Sequence, residues 1–339
     1  MLAPIWRRTA LGLAVAVPVL AFILYRTDLN KTADALGEAN YALIPPAVLL
    51  FMLAIWLSAI RWRYLLRPMA EISTGRLYPV VFIGHLGNNI LPLRGGDLLR
   101  AFVLKRREGV SRAASLGTLV VEHVLDGMVL VAVLLVFIAL VRRGEGLWEL
   151  ALVSGLVFMG AALMLVAAAI WQTESTVVAE FIVARVPRRW RGEASRWMSS
   201  FLEGTRALRS PEIAAAVFLS TTAFWAVIAS AYLVVGEALH IDEGFDTYLL
   251  VTAAANLAFS VPLTQGGLGS FEFLVRQTLI FSGVDAALAT AYALVLHALI
   301  VLSMVTAGLI SGWIVGLSLK EMGEQGTEEV PETDAPPIR

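Results

Sequence analysis

The sequence predicts an all-α polytopic membrane protein with about six full spans and two re-entrant, broken-helix hairpins in an inverted repeat. Of its 339 residues, 58% are hydrophobic and 16% are charged, whereas soluble domains carry about 25% charged residues. Several apolar runs exceed the roughly 18 residues that a membrane-spanning helix needs. Two further apolar stretches are interrupted at matching places by Pro and a Gly pair, and this match suggests the repeat.

Six apolar runs are long enough to cross a bilayer without a break. They lie at about residues 9–25, 42–60, 113–141, 147–171, 212–238 and 285–317. The first run follows Arg7 and Arg8 and has the form of a signal peptide, but no small-residue cleavage site follows it closely. We therefore expect an uncleaved first helix.

The two interrupted stretches cover residues 77–106 and 247–282. Each uninterrupted half is a helix of about 15 residues, which reaches about 22 Å and cannot cross a core of about 30 Å. Two such halves joined by a Pro/Gly break predict a re-entrant hairpin. A break of this kind is tolerated in the membrane only where protein or a wet cavity satisfies its backbone.

The positions of Arg and Lys predict the orientation of the chain. Basic residues cluster at 61–76, 94–112 and 172–211, whereas the segment between the fifth and sixth spans is acidic. Loops rich in Arg and Lys stay in the cytoplasm, so both termini are expected there. Arg142 and Arg143 fall on the opposite side and do not fit this rule.

Residues 1–319 are expected to form one transmembrane domain, followed by a disordered acidic tail at 320–339. Within the last basic loop, residues from about 193 to 209 place apolar side chains on one helical face and charged side chains on the other. Such a helix either lies on the cytoplasmic membrane surface near anionic headgroups or packs on the protein itself. The pattern does not decide between the two.

The first break has a second copy. The segment NNILPLRGGDLLRAFVLKRREGV from Asn88 compares with FSVPLTQGGLGSFEFLVRQTLIFSGV from Phe259. Both contain Pro, a Gly pair, an acid that opens a helix and a following Arg, and both end at Gly-Val. From there the copies align without gaps, and this alignment matches His123 with His297.

Three full spans separate the two breaks, and an odd number predicts that the copies are inverted in the membrane. The repeat halves are centred on residues 77–141 and 247–317. Inverted repeats with paired broken helices are typical of transporters, whose substrate site lies near the midplane between the repeats.

The breaks have the chemistry of an anion site. Gly pairs let backbone N–H groups face a ligand, the helix that follows directs its positive end at the break, and Arg grips phosphate with two bonds. The predicted lipid-headgroup site comprises Asn88, Asn89, Pro92, Arg94, Gly95, Gly96, Asp97, Arg100, Glu122, Asp126, Pro262, Thr264, Gln265, Gly266, Gly267, Gly269, Glu272 and Arg276. The alternative is that the Gly pairs only allow close helix packing and that Asp97 only caps its helix.

The acids in these segments need a separate explanation. Asp97 and Glu272 place a carboxylate where an anion would sit, so they either clamp the Arg one turn later or bind a proton or cation coupled to transport. Glu122 and Asp126 share one face of a predicted span and need partners there. Arg100 and Arg94 are the nearest basic residues by topology, and a purely structural ion-pair network is the alternative.

His123 and His297 are candidates for a proton relay, with a satisfied core histidine as the alternative. The sequence shows no catalytic set. It has no Cys, and it lacks the HExxH, GxSxG and P-loop patterns. We therefore expect no enzyme activity, cofactor or metal. The net charge of −1 gives no basic field for nucleic acid.

The two breaks together resemble a known family, the flippase-like membrane proteins of the lysylphosphatidylglycerol synthase transmembrane region. The residues similar to its first signature are Asn88, Pro92, Gly96, Asp97, Arg100, Glu122 and Asp126. Those similar to its second signature are Pro262, Gly266, Gly267, Gly269 and Glu272. The resemblance extends over about residues 9–317. Asp97 departs from it, because Glu is the commoner acid there.

The resemblance implies a multi-pass protein of the bacterial inner membrane that binds and moves an anionic lipid, either a phospholipid or a polyprenyl-linked one. Membrane lipids would be its partners. Fused members carry an aminoacyl-transferase, which we do not expect here because only a short tail follows the last span. Three alternatives stay open: a non-catalytic subunit for a separate lipid-modifying or glycosyl transferase, a small-solute transporter, and a membrane organiser.

Overall fold

The computed structural model describes residues 17–317 except 24, 92–94, 142–146, 172–176, 179, 182 and 261–264. Over these residues the regular structure is helical, without strands. A helical segment at 17–23 comes first. The helices, numbered here in chain order, are α1 (Leu29–Gly37), α2 (Ile44–Leu66), α3 (Thr74–Ile90), α4 (Gly96–Glu108), α5 (Arg112–Val141), α6 (Leu147–Ile170), α7 (Arg191–Gly204), α8 (Pro211–Ala238), α9 (Phe245–Ser260), α10 (Ser270–Ser282) and α11 (Ala286–Val315).

Within the part of the chain that the structure describes, four helices are long and apolar enough to cross a membrane. They cover Tyr41–Leu66, Arg112–Val136, Pro211–Ala238 and Ala286–Val315, and they match four of the six predicted spans. The predicted span at 147–171 corresponds to the continuous helix α6. Much of the span at 9–25 lies outside the described residues. The prediction of an all-α polytopic membrane protein is confirmed.

The first interrupted stretch folds as two helices, α3 and α4, that pack against each other. Glycines permit the close approach, since a Cβ on Gly96 would overlap the carbonyl oxygen of Gly84, and a Cβ on Gly87 would lie 2.6 Å from the Cα of Gly96. The amide of Gly96 donates to Oδ1 of Asn88 at 3.0 Å. At Gly96, the close-packing explanation of the Gly pair therefore holds.

The second interrupted stretch folds as helices α9 and α10, which also pack against each other. Its break contains Gly266, Gly267 and Gly269, whose φ angles are 60°, 75° and 84°. L-residues with a side chain rarely adopt this left-handed region. The glycines of the second break are therefore needed to turn the backbone.

The predicted halves are joined by contacts between their helices. Helix α3 of the first half packs on α11 of the second, where Gly308 lies against Leu86 and the carbonyl of Phe82. Helices α2 and α8 also pack along each other. The contact between α3 and α11 thus joins the two predicted halves.

The amphipathic segment forms helix α7 and a short 3-10 turn at Arg206–Arg209. Helix α7 packs on α5, where Gly204 meets Gly117 and the carbonyl oxygen of Ala114. Of the two alternatives from the sequence, packing on the protein itself is observed. The predicted tail at 320–339 lies outside the described residues.

The contact between α5 and α7 can be tested by adding one methyl group. In Gly204→Ala the new Cβ would overlap the carbonyl oxygen of Ala114, so we expect a loss of about 1–3 kcal/mol. It should appear as a lower thermal unfolding midpoint of the purified protein in detergent. Gly192→Ala is the matched control, because it lies on the same helix with no atom within 4 Å of its Cβ. Equal midpoints for the two variants would contradict the tight contact.

Candidate functional site

A buried ion-pair network lies beside the first break. Arg61 of α2 is 1% exposed. Its Nη2 lies 2.8 Å from Oε1 of Glu122, and its Nη1 lies 2.6 Å from Oδ1 of Asp126. Nη1 also donates to Oγ1 of Thr221 at 3.2 Å, and the guanidinium lies 5.3 Å from the ring centroid of Phe224. One arginine thus connects helices α2, α5 and α8.

Arg100, on α4 of the first hairpin, joins the network from the other side of Glu122. Its two terminal nitrogens donate to Glu122 at 3.2 Å and 3.4 Å. Its guanidinium lies 4.2 Å from the ring centroid of Trp62, and the indole N–H of Trp62 donates to Thr118 at 3.0 Å. The charge of Arg100 is therefore already balanced by a carboxylate.

The network corrects two sequence-based predictions. Asp126 does not partner Arg100: it accepts hydrogen bonds from Arg61 and from the indole N–H of Trp225, the latter at 2.9 Å. The sequence places Arg61 in the basic cluster at 61–76, because the second predicted span ends at residue 60. The helix continues to Leu66, which carries Arg61 into the bundle. Two acids inside one span require basic partners. Glu122 and Asp126 therefore indicate in the sequence that a further basic residue lies inside the bundle.

The acid that opens the second helix of each hairpin pairs with a histidine. Nε2 of His123 lies 2.9 Å from Oδ2 of Asp97, and Nδ1 of His297 lies 2.7 Å from Oε1 of Glu272. The suggestion that these acids clamp the Arg one turn later is therefore wrong. The two pairs correspond in the repeat, because these histidines occupy equivalent positions in the gapless alignment of the two copies.

The second pair is built into the backbone of its break. Oε2 of Glu272 accepts from the amide of Gly269 at 2.7 Å, and Nε2 of His297 lies 3.0 Å from the carbonyl oxygen of Gly266. A carbonyl oxygen only accepts, so Nε2 carries a proton. The contact between Nδ1 of His297 and Oε1 of Glu272 then needs a second proton, on one atom or the other. This arrangement lets the pair hold a transferable proton.

The two pairs differ in their access to the surroundings. The side chains of Asp97 and His123 are 20% and 38% exposed, whereas those of Glu272 and His297 are 5% and 6% exposed. The first pair can thus be reached from outside the bundle, and the second is enclosed.

The two breaks lie next to each other. A Cβ on Gly266 would be 3.1 Å from Oδ1 of Asn89. The side-chain amide of Asn89 donates to the carbonyl oxygen of His85 at 2.9 Å. Oδ1 of Asn88 accepts a hydrogen bond from the amide of Gly96. Both asparagines therefore support the backbone of the first hairpin, Asn88 through its side-chain oxygen and Asn89 through its side-chain N–H.

The remaining predicted residues fall into three groups. Gly95, Gly267 and Gly269 are buried at the breaks. Arg276 is also buried, but it contacts Thr290, Gln277 and Thr27 and none of the network described above. Outside the described residues lie Pro92, Arg94, Pro262, Thr264 and the side chain of Gln265. Among the described residues no group of three His, Cys, Asp or Glu side chains could hold a metal.

Removal of Arg61 should destabilise the fold strongly. Arg61→Ala removes a cation from the buried Glu122 and from the partly buried Asp126, and breaking a buried pair typically costs about 3–5 kcal/mol. We expect a large drop in the thermal unfolding midpoint in detergent. Arg63→Ala, two positions along the same helix, removes an exposed arginine and should change stability by less than about 0.5 kcal/mol. Similar midpoints for both variants would show that the network does not hold the bundle together.

The chain is similar to known membrane proteins along most of its length. Residues 9–308 match the family model described as the lysylphosphatidylglycerol synthase TM region. The glycosyltransferase AglD of Haloferax volcanii is 28% identical over 351 residues, covering 94% of this chain and 56% of that protein. This chain thus spans about half its length. A UPF0104 membrane protein of Methanothermobacter thermautotrophicus is 25% identical over 321 residues, which cover 88% of this chain and 92% of that protein. No solved structure matches. The chain belongs to the lysylphosphatidylglycerol synthase transmembrane-region family.

Proposed function

We propose that this protein binds an anionic lipid, a phospholipid or a polyprenyl-linked lipid, and moves its headgroup across the bilayer where the two breaks meet. The observation that carries the proposal is the contact of the breaks at Asn89 and Gly266, each break bearing an acid–histidine pair. Paired broken helices from two repeats form the substrate sites of many transporters. The protein would act without catalysis.

The first break offers donors for a phosphate. The Nε atom of Arg100 is buried without a hydrogen-bond acceptor among the described residues. An unsatisfied buried donor costs about 1–3 kcal/mol, and a phosphate oxygen would satisfy it. Glu122 is shared by both arginines. A headgroup phosphate could therefore replace Glu122 as the partner of Arg100, and Glu122 would stay paired with Arg61.

We place the first break toward the cytoplasm in the inner membrane, with both termini cytoplasmic. The reason is the concentration of Arg and Lys in the segments 94–112 and 172–211 together with the positive-inside rule. In this orientation the partly exposed Asp97–His123 pair would lie at the cytoplasmic entrance, and the enclosed Glu272–His297 pair would face the other leaflet.

Translocation can be measured directly with the purified protein in liposomes. A fluorescent phosphatidylglycerol is placed in both leaflets, and dithionite then quenches only the label on the outside. Arg100→Gln should slow its exchange about tenfold or more, the effect of losing a charge-assisted hydrogen bond. The Arg100→Gln variant should still fold, because Glu122 remains paired with Arg61.

The control for this experiment is Arg107→Gln, which removes an exposed arginine from the same helix. Its exchange rate should equal that of the unchanged protein. No exchange above empty liposomes, or equal rates in the Arg100→Gln and Arg107→Gln proteins, would count against the proposal. A small-solute role would then gain weight, since inverted repeats serve those substrates too.

A second candidate is a membrane subunit that presents a lipid-linked substrate to a separate glycosyl or lipid-modifying transferase. One observation favours it: the relative from Haloferax volcanii is named a glycosyltransferase, and this chain corresponds to only part of it.

The two candidates predict different changes in cells that lack the protein. Loss of a translocator should leave the lipid chemically unchanged and trapped in one leaflet. Loss of a subunit should reduce the sugar-bearing or modified form of the lipid in mass spectra of whole-cell lipid extracts. Complementation with the Arg100→Gln protein, alongside the Arg107→Gln control, links the result to the site. Unchanged lipid composition together with normal leaflet distribution would speak against both candidates.

A further inference from the structure

Arg276 is a buried cation with only neutral partners. The residue is 8% exposed. Its Nε donates to Oγ1 of Thr290 at 2.9 Å, its Nη1 to Oε1 of Gln277 at 2.8 Å, and its Nη2 to Oγ1 of Thr27 at 3.5 Å. Each nitrogen thus has an oxygen partner, but none of these oxygens carries a charge.

Buried charges in proteins are normally paired with an opposite charge. Among the described residues, no carboxylate forms an ion pair with Arg276. Asp285 acts on it electrostatically, but Oδ1 of Asp285 accepts from the amides of Ala287 and Leu288 at 2.8 Å and 3.4 Å. These amides, Ala287 first, lower the pKa of Asp285. That carboxylate caps helix α11 and does not neutralise Arg276 by contact.

The repeat shows what Arg276 lacks. In the first half, Arg100 follows its acid by one turn and is neutralised by Glu122. In the gapless alignment of the two halves, Glu122 corresponds to Leu296 and Asp126 corresponds to Ile300. The second half therefore keeps the arginine and replaces both acids with apolar side chains.

The guanidinium still has donors to offer. Arginine has five N–H groups, and the three hydrogen bonds above engage one on each nitrogen. One N–H remains on Nη1 and one on Nη2. The hydroxyls of Thr27 and Thr290 donate to the carbonyl oxygens of Ile23 and Ala286, both at 2.7 Å, so they serve Arg276 as acceptors and fix its plane. These two N–H groups are available to two oxygens of a phosphate, which arginine commonly binds with two hydrogen bonds.

We infer that Arg276, held by Thr27 and Thr290, is a second anion subsite that binds a phosphate group, separate from the network at the first break. The phosphate belongs to a lipid headgroup or to free phosphate, and the chemistry is shared by both. The assignment of this subsite to the path of a transported lipid rests on the proposed function, whereas the binding of an anion at Arg276 does not. An anion bound there supplies the charged partner that Arg276 lacks among the described residues.

Binding should be measured on the full chain purified in an uncharged detergent. The probes are inorganic phosphate and dioctanoyl phosphatidylglycerol, and dioctanoylglycerol is the phosphate-free comparison. Arg276→Gln should raise the dissociation constant for the phosphate-bearing probes about tenfold or more. Thr290→Val keeps the charge but removes the acceptor for Nε, and should raise it by a smaller factor. Arg26→Gln, an exposed arginine beside Thr27, is the control and should bind normally.

Stability without ligand provides a second readout. Since Arg276→Gln removes an uncompensated buried charge, its unfolding midpoint should equal or exceed that of the unchanged protein, opposite to Arg61→Ala. A marked drop in the midpoint would assign Arg276 a structural role and overturn the inference. Equal binding by Arg276→Gln and the unchanged protein would overturn it too, as would no binding of either phosphate probe.

The pattern across probes identifies the source of the phosphate. Binding of both probes supports a subsite that recognises phosphate alone, and binding of the lipid only supports a headgroup subsite that also needs the acyl chains. If Arg276→Gln loses binding while the unchanged protein moves no lipid in liposomes, the subsite stands and the proposed function fails. If lipid moves normally and Arg276→Gln still binds both probes, the subsite alone fails.

Discussion

The structure depends on one buried arginine held between two carboxylates. Arg61 contacts Glu122 and Asp126 inside a bundle where a single charge at the membrane centre costs about 2.5–3.5 kcal/mol on insertion scales. These charges are tolerated because they neutralise one another and bind Thr221 and Trp225. The helices that carry them are therefore fixed relative to one another, since any shift that separated the charges would expose them unpaired.

The first hairpin attaches to this fixed centre through Arg100. Glu122 has two arginine partners, so one of them can exchange its partner while the other keeps the carboxylate paired. The glycines between α3 and α4 bring the two backbones close enough for Arg100 to lie against Gly84. A broken helix that moves needs a rigid part of the protein to move against and an attachment that can exchange. Arg61 belongs to the rigid part and Arg100 to the exchangeable ion pair, so the proposed headgroup site includes Arg100 and not Arg61.

The sequence was sufficient for the helices and for most residues of the candidate site, but not for their pairing. The apolar runs and the repeated Pro/Gly breaks are local features, so they could be recognised without knowing the packing. The repeated pattern points to both Asp97 and Glu272, but it suggests the arginine one turn later on the same helix as the partner of each. The true partners, His123 and His297, lie on the next helix, and helix periodicity says nothing about contacts between helices. Arg61 was missed for a different reason, because the predicted span ended before it and the helix does not.

The two halves share their geometry and differ in their charge. Both have an acid–histidine pair and an arginine, but only the first has Glu122 and Asp126, and the corresponding positions are Leu296 and Ile300. A phosphate arriving at Arg100 must compete with Glu122, whereas the hydrogen-bond partners of Arg276 among the described residues are all neutral. By the charges alone the anion is held more weakly at the first break and more strongly at the second. In a carrier built this way, the anion would occupy the Arg276 site more than the Arg100 site, and release from Arg276 would be the slower step.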